Sequence, residues 1–185
     1  MPAEPSARTQ DVLAALVDLV LAEGFASLGV ADLARRLQCS KTTLYALAPS
    51  KEQLIERAVR EFFRAATARV EAAVDPDAEP VVQLEQYLGA IAVQLGPASP
   101  AFYANVSAFE PARRVYRQNT AAAADRVQGL VGRAARGADA SFVGEVAALV
   151  MEAIHSQRIE ATTGLDDAAA YRSLARLVVA AVRAG

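Results

Sequence analysis

Both lysines of this chain lie in one sixteen-residue stretch, CSKTTLYALAPSKEQL (39–54), and each directly follows a serine. The same stretch carries two threonines and a tyrosine beside the two amines. Amine and hydroxyl groups donate hydrogen bonds to phosphate oxygens and to guanine acceptors, and a threonine methyl group can contact that of thymine. These residue types would suit a contact with double-stranded DNA if one helix presented them on a common face.

A helix that begins after Ser40 and ends before Pro49 would sort these side chains by face. Its two leucines, Leu44 and Leu47, would point to one side and pack against neighbouring helices. Thr43 would lie at the margin, where its hydroxyl group could reach a phosphate. The opposite side would present three polar side chains to DNA: Lys41, Thr42 and Tyr45.

Lys51 is predicted to lie in the first turn of the next helix, which Ser50 begins with a capping box to Gln53. A positive charge there opposes the helix dipole and costs stability. The position becomes favourable if Lys51 and the free N–H groups of that turn bind a phosphate together. Residues 33–51 contain four basic side chains and no acidic one, which agrees with a narrow basic stripe. An ordinary solvated helical hairpin, with serine as cap and lysine for solubility, explains the same residues equally well.

The apolar spacing along the whole chain is that of helices, and no window alternates as a strand does. We therefore predict an all-α protein of about nine helices, with a flexible arm at residues 1–8. Two short helices joined by a tight turn at 37–40 would form a helix-turn-helix, whose second helix enters the major groove of DNA. Five helices are predicted in the later part of the chain, at 80–95, 99–109, 111–136, 141–163 and 167–183.

Composition restricts the function classes further. The net charge of -2 excludes a protein covered with basic surface, so any DNA contact must be local. One cysteine excludes an internal disulfide and suits the reducing cytoplasm. The apolar run VLAALVDLVLA is broken by Asp18 and is too short to span a bilayer, so we expect no membrane association.

The run GFASLGVADLARRLQCSKTTLYALAPSKEQLIERAV (24–59) resembles the N-terminal domain of the TetR family of transcriptional regulators. The chain departs from that family's pattern in the turn, where Gln38 replaces a frequent glycine, and also at Leu28–Gly29 and Leu47–Ala48. The matching positions follow in order and without a gap: Gly24–Phe25, Val30, Asp32–Leu33–Ala34, Ser40, Thr43–Leu44–Tyr45, Ser50–Lys51 and Leu54.

The resemblance implies a homodimer that binds a palindromic operator, usually as a repressor. It also implies a small-molecule effector that lowers the affinity for DNA. Residues 1–51 would then be the DNA-binding domain with its arm, and 52–185 the helical domain for effector binding and dimerisation. By position, Thr43 and Lys51 would bind phosphates, and Arg8 would contact the minor groove. The residues expected to contact DNA are Ser40, Lys41, Thr42, Thr43, Tyr45, Lys51 and Arg8.

Aromatic and apolar side chains with few polar anchors, in the C-terminal two-thirds, would suit a largely hydrophobic effector. Core packing explains each of these residues equally well, because aromatic side chains at helical spacing are commonly core residues. The candidate pocket residues are Phe102, Tyr103, Val106, Phe109, Tyr116, Asn119, Met151 and His155.

The last two predicted helices are apolar over too wide an arc for lone surface helices. Alanines on these two helices would allow the helices of two subunits to approach closely, as in a four-helix bundle formed by a dimer. The alternative is that these faces complete the core of a monomer. The candidate dimer residues are Val150, Ile154, Arg158, Leu174, Leu177 and Val178.

Two other protein classes stay open on the residues alone, a helical adaptor that binds only protein and an all-α enzyme without DNA binding. An enzyme would need a nucleophile with its base, a metal cluster or a cofactor motif, and we find none, so we expect no catalysis, cofactor or metal. His155 is the only histidine, so we interpret it as a hydrogen-bonded helix residue and not as a metal ligand. We interpret Cys39 in the turn as a small packed residue and not as a redox switch.

Overall fold

The computed structural model describes residues 7–135 and 138–184. Within those ranges the chain forms ten helices and no strand, so the prediction of an all-α fold is confirmed. None of the helices in this part of the chain combines the length and apolarity needed to span a lipid bilayer. The helices are α1 (Ala7–Glu23), α2 (Val30–Arg36), α3 (Lys41–Leu47), α4 (Lys51–Ala72), α5 (Pro80–Leu95), α6 (Pro100–Ala108), α7 (Glu110–Ala134), α8 (Ala138–His155), α9 (Arg158–Thr163) and α10 (Asp167–Ala184).

Two differences between the predicted and the observed helix bounds change the interpretation. The segment 141–163, predicted as one helix, is divided between α8 and α9 because Gln157 adopts the left-handed conformation, with φ 59°. At the other end, α1 begins at Ala7, so Arg8 belongs to a helix and not to an arm. Residues 1–6 of the predicted arm, and the predicted helix end at residue 136, lie outside the described residues.

The chain divides into two compact units. The first comprises the N-terminal residues up to Phe63 together with Ala98–Val115, and the second comprises Arg64–Pro97 with the residues from Tyr116 onward. The first unit therefore takes in α6, a helix from the middle of the chain, as well as α1, α2 and α3.

The core of the first unit is formed by the apolar faces of its short helices. Leu16 and Leu33 are completely buried, and Leu44 and Leu47 of α3 are 1% and 4% exposed. The leucine side of α3 thus packs inward as its spacing predicts. Helix α6 packs on α1, and the backbone N–H of Ser99 donates to the carbonyl oxygen of Leu21 at 2.9 Å.

The second unit is built around α10, which packs along α5 and also against α8. Its largest buried side chains come from α5, α7 and α8 and are almost completely removed from solvent. Burial of such aliphatic side chains, each worth about 1.5–3 kcal/mol, is the main stabilising contribution available to this unit. The buried side chains include Leu84, Leu88, Leu130, Met151 and Ile154.

Candidate nucleic-acid interface

The turn between α2 and α3 is closed by two backbone hydrogen bonds. The N–H of Cys39 donates to the carbonyl oxygen of Ala34 at 3.0 Å, and that of Gln38 donates to Arg35 at 3.3 Å. This is the Schellman arrangement, in which the residue after the helix adopts a left-handed conformation. Gln38 has φ 50° there, at the position where a glycine would be free of strain. The hydrogen bonds therefore hold a tight helix-turn-helix despite the missing glycine.

Ser40 and Arg57 fix the two ends of α3. The Ser40 hydroxyl oxygen accepts from the backbone N–H of Thr43 at 3.0 Å, and the two hydroxyl oxygens lie 2.9 Å apart. At the other end, the guanidinium group of Arg57 donates to the carbonyl oxygen of Leu47. Both ends of this seven-residue helix thus have polar partners, which a short helix needs because its terminal backbone groups lack intrahelical ones.

The solvent side of α3 carries the residues that the sequence placed there. Lys41, Thr42 and Tyr45 are exposed, and Tyr45 keeps 50% of its surface in solvent. Thr43 is half-buried beside them, next to its hydrogen-bond partner Ser40. The structure thus brings an amine, a phenol and hydroxyl groups together on one open helix face.

The basic residues around this face differ in how they are paired. Arg35 forms an ion pair with Asp32 at 3.0 Å, and Arg36 forms one with Glu23. The amines of α3 and α4 have no carboxylate partner within the described part of the chain. The two arginines are thus held in ion pairs, whereas Lys41 and Lys51 form none among the described residues and can reach an anion, although the charge of Lys51 also acts on the adjacent Glu52.

The first turn of α4 has the serine cap that the sequence predicts, which is one of the two bonds of a capping box. The Ser50 hydroxyl oxygen accepts from the backbone N–H of Gln53 at 3.2 Å. The backbone N–H of Glu52, the Ser50 hydroxyl group and the charge of Lys51 favour the ionised form of the Glu52 carboxyl group and hold its pKa below the ordinary value. Lys51 lies half-buried between these two residues. The Glu52 carboxylate is thus stabilised by the start of the helix and by the adjacent charge of Lys51.

Cys39 is half-buried in the turn. Burial raises the pKa of its thiol group, and the nearby charge of Arg8 opposes this effect only in part. A raised pKa favours the protonated thiol, which is the less reactive form. The geometry agrees with a packed turn residue, and it also places the exposed Arg8 within electrostatic reach of the turn.

Residues 12–58, which contain this helix-turn-helix, match the family model described as bacterial regulatory proteins, tetR family. The chain carries the N-terminal domain of the TetR family. The resemblance noted for residues 24–59 is thereby confirmed, and the match extends it towards the N-terminus as far as residue 12. With the helix-turn-helix geometry, this match supports a DNA-binding TetR-family transcriptional regulator.

Solved structures of similar fold cover both units. A TetR-family transcriptional regulator from Streptomyces coelicolor is 19% identical, with a TM-score of 0.74 over 98% of this chain and 91% of its own. A TetR transcription regulator from Haloarcula marismortui is 13% identical, with a TM-score of 0.73 over 97% and 98%. A transcriptional regulator from Saccharomonospora viridis, solved in complex with choline, is 16% identical, with a TM-score of 0.72 over 94% and 96%. At these identities the likeness shows the fold. A comparison with curated proteins gave no match.

The candidate pocket residues fall in both units. In the first unit, Phe102, Tyr103 and Val106 are buried, and Phe102 packs edge to face on Phe62 with 5.7 Å between ring centroids. Phe109 is half-buried beside a small cavity of the same unit. These α6 side chains thus contribute to the packing of the unit that contains the helix-turn-helix.

In the second unit, one of the remaining pocket candidates, Tyr116, contacts a buried carboxyl group that the sequence reasoning missed. The rings of Tyr116 and His155 lie 4.2 Å apart, and the Tyr116 hydroxyl group donates to Asp167, which is 2% exposed. Met151 is completely buried, and Asn119 accepts from the hydroxyl group of Thr67 at 2.9 Å. No sequence signal marks Asp167, because an aspartate at the first position of a helix is ordinarily a solvated dipole partner.

The candidate dimer residues divide into buried and exposed ones. Ile154, Leu174 and Val178 are buried within the second unit, whereas Leu177 is 68% exposed. Val150 is half-buried and Arg158 is exposed. The structure also exposes three other apolar side chains of α8: Phe142 (70%), Val146 (38%) and Leu149 (58%).

Proposed function

We propose that the chain is a dimeric transcriptional repressor, acting in the cytoplasm, that binds a palindromic operator and is released by a small hydrophobic effector. Residues 1–51 would be the DNA-binding domain, and 52–185 would bind the effector and form the dimer. The observation that carries the proposal is the exposed face of α3, where Lys41 has no carboxylate partner among the described residues and Tyr45 is half in solvent. Such a face suits base edges and phosphates in the major groove.

Within this face the roles follow from the hydrogen bonds. Lys41 would donate to guanine, and Thr42 and Tyr45 would contact neighbouring bases or phosphates. Because Ser40 and Thr43 share a hydrogen bond of 2.9 Å, the Ser40 hydroxyl group can donate to Thr43 and leave the Thr43 proton for a phosphate. Lys51 would bind a phosphate from the first turn of α4.

For dimerisation, a second copy of the chain would cover the exposed apolar face of α8 and α10. Phe142, Val146 and Leu149 stand at i, i+4 and i+7 on α8, and Leu177 is exposed on the adjoining α10. A helix pair of this kind supports a four-helix interface with its symmetry mate. This surface, defined by these four residues, is called the α8–α10 face below.

For the effector, we propose the second unit around Tyr116, Asn119, Met151 and His155. Aromatic and thioether side chains there suit a largely hydrophobic ligand, and Asn119 offers a polar anchor. One fold neighbour, the protein from Saccharomonospora viridis, was solved in complex with choline, which supports small-molecule binding by this fold.

The test is selection of bound duplexes from a random DNA library, followed by fluorescence anisotropy with the selected site at two salt concentrations. We expect binding at least about a thousandfold tighter than to unrelated DNA. Lys41→Ala should relax base choice at one position of each half-site, and Lys51→Ala should weaken all sequences and flatten the salt slope by about one unit. Arg176→Ala, an exposed charge removed from the second unit, is the control and should bind as wild type. Absence of any selected sequence would favour the adaptor or enzyme alternatives.

A further inference from the structure

The first unit contains a cavity of about 330 Å³ between the turn after α1, the start of α4 and the end of α6. Its apolar wall includes Phe25, Ile55 and Phe109, and the two rings meet edge to face with 5.9 Å between centroids. Small-molecule sites commonly measure roughly 300–1,000 Å³ and are lined by apolar and aromatic side chains. The cavity has the size and the wall for a small ligand.

Three polar side chains line this cavity, and they differ in what they can offer a ligand. The side-chain oxygen of Asn105 accepts from two backbone N–H groups of the turn after α1, at 2.6 and 2.7 Å. The carboxylate of Glu52 is stabilised by donors of the helix start and by the charge of Lys51, which lower its pKa. Lys51 is the third, and its amine has no carboxylate partner among the described residues. Lys51 is therefore the cation that this cavity offers to an anionic ligand.

We propose that this cavity binds a small hydrophobic carboxylate, with its apolar part against Phe25 and Phe109 and its carboxylate on Lys51. A carboxylate suits the amine because charge-assisted hydrogen bonds are the stronger ones. The consequence for regulation rests on the proposed function. A ligand that occupies Lys51 takes this amine from its DNA phosphate, so binding in the first unit lowers DNA affinity by direct competition.

The site is tested on the full chain without DNA, with 4-phenylbutyrate as probe and ¹H–¹⁵N NMR as readout. We expect shifts at the backbone amides of Phe25 and Ala26. Ala108→Leu fills the cavity and should weaken the probe at least about tenfold, which corresponds to loss of the apolar contact. Ala104→Leu is the matched control, since this alanine is exposed on the same helix and does not line the cavity. Equal binding by both variants, or no binding by wild type, would overturn the site.

The role of Lys51 is tested by comparing the acid with its uncharged counterpart, 4-phenyl-1-butanol. Lys51→Gln should weaken 4-phenylbutyrate about tenfold and leave the alcohol unchanged. An equal effect on both compounds would overturn the contact between amine and carboxylate.

The regulatory consequence is tested with the selected DNA site. The probe should release DNA from wild type and from Ala104→Leu but not from Ala108→Leu. Release from Ala108→Leu to the same extent would overturn competition at this cavity. If the chain selects no DNA, the proposed function fails, while the NMR titration still decides whether the cavity binds the carboxylate.

Discussion

The side-chain oxygen of Asn105 lies 2.6 Å from the backbone nitrogen of Phe25, eighty residues away in the chain. It also accepts from the N–H of Ala26 at 2.7 Å, so one amide oxygen joins α6 to the turn after α1. Gly24 adopts φ 74° in that turn, and a Cβ atom there would come within 2.7 Å of the same oxygen. The close approach therefore requires both a glycine and an acceptor that extends from α6.

Replacing Asn105 by alanine should destabilise the protein, because two backbone N–H groups lose their acceptor. We expect the free energy of unfolding to fall by about 1–3 kcal/mol, the usual cost of leaving a partly buried donor without a partner. Urea unfolding of wild type and Asn105→Ala measures this difference. Asn105→Asp keeps an acceptor at the same position and should be much closer to wild type. Equal stability of the alanine and aspartate variants would show that these hydrogen bonds contribute nothing net.

Replacing Gln38 by glycine should stabilise the helix-turn-helix. Gln38 has φ 50°, a conformation that costs a residue with a Cβ atom roughly 1 kcal/mol and that glycine adopts freely. The greater flexibility of glycine in the unfolded chain offsets part of this gain, so we expect about 0.5 kcal/mol more stability. Thermal unfolding measures it, with Gln38→Ala as control because alanine keeps the Cβ atom. If the glycine variant were no more stable than the alanine variant, backbone strain at Gln38 would be contradicted.

Stability should depend on pH through Asp167. Burial raises the pKa of its carboxyl group from 3.8 to about 6, against the opposing effect of hydrogen bonds from Tyr116 and Gln157. A raised pKa means that the folded protein binds the proton more tightly than the unfolded chain. Stability from this group is therefore complete below about pH 4 and is lost as pH rises to about 6, roughly 3 kcal/mol in all.

The measurement is chemical unfolding of wild type and Asp167→Asn between pH 4 and pH 7. The asparagine variant should lose less stability across this range, because it has no carboxyl group to ionise. Asp125→Asn is the control, since this exposed carboxylate on α7 is not among the charges that act on Asp167, and its variant should keep the wild-type slope. If the free energies of unfolding of wild type and Asp167→Asn changed in parallel with pH, the raised pKa of the Asp167 carboxyl group would be contradicted.

Dimerisation should depend on the α8–α10 face. Placing a charge there by Leu177→Glu or Phe142→Glu would bury an unpaired carboxylate in the interface, so we expect monomers at concentrations where wild type is a dimer. Light scattering after size exclusion measures the mass in solution. Val93→Glu, at a valine 69% exposed on α5, is the matched control and should remain dimeric. A monomeric wild type would overturn the dimer.

Local patterns predicted much of the fold, as α3 shows. Its cap at Ser40, its inward leucines and its polar outer face all follow from spacing within eight residues, and the structure has them as predicted. The cap of α4 at Ser50 is another local feature that the spacing predicts. Caps and helical periodicity depend on near neighbours in the chain, so a sequence can display them directly.

Features that depend on distant residues could not be read in this way. Leu174, Leu177 and Val178 share one apolar helix, and only the packing of α10 on α5 and α8 decides that Leu177 is the exposed one. The break at Gln157 is another case, since its side chain donates to Asp167 at 3.0 Å beyond the end of α9. Helical spacing alone predicts a continuous helix through that position.

The sequence by itself therefore determined the all-α class, the helix-turn-helix and the amine and hydroxyl groups on its outer face, because these depend on spacing along one or two helices. The tertiary structure alone decided that α6 joins the first unit through Asn105, that Tyr116 reaches the buried carboxyl group of Asp167, and that Phe25 meets Phe109 beside a cavity. These partners are 51 to 84 residues apart. Their contacts depend on how whole helices pack, and pairing across such distances leaves no periodic signal in the chain.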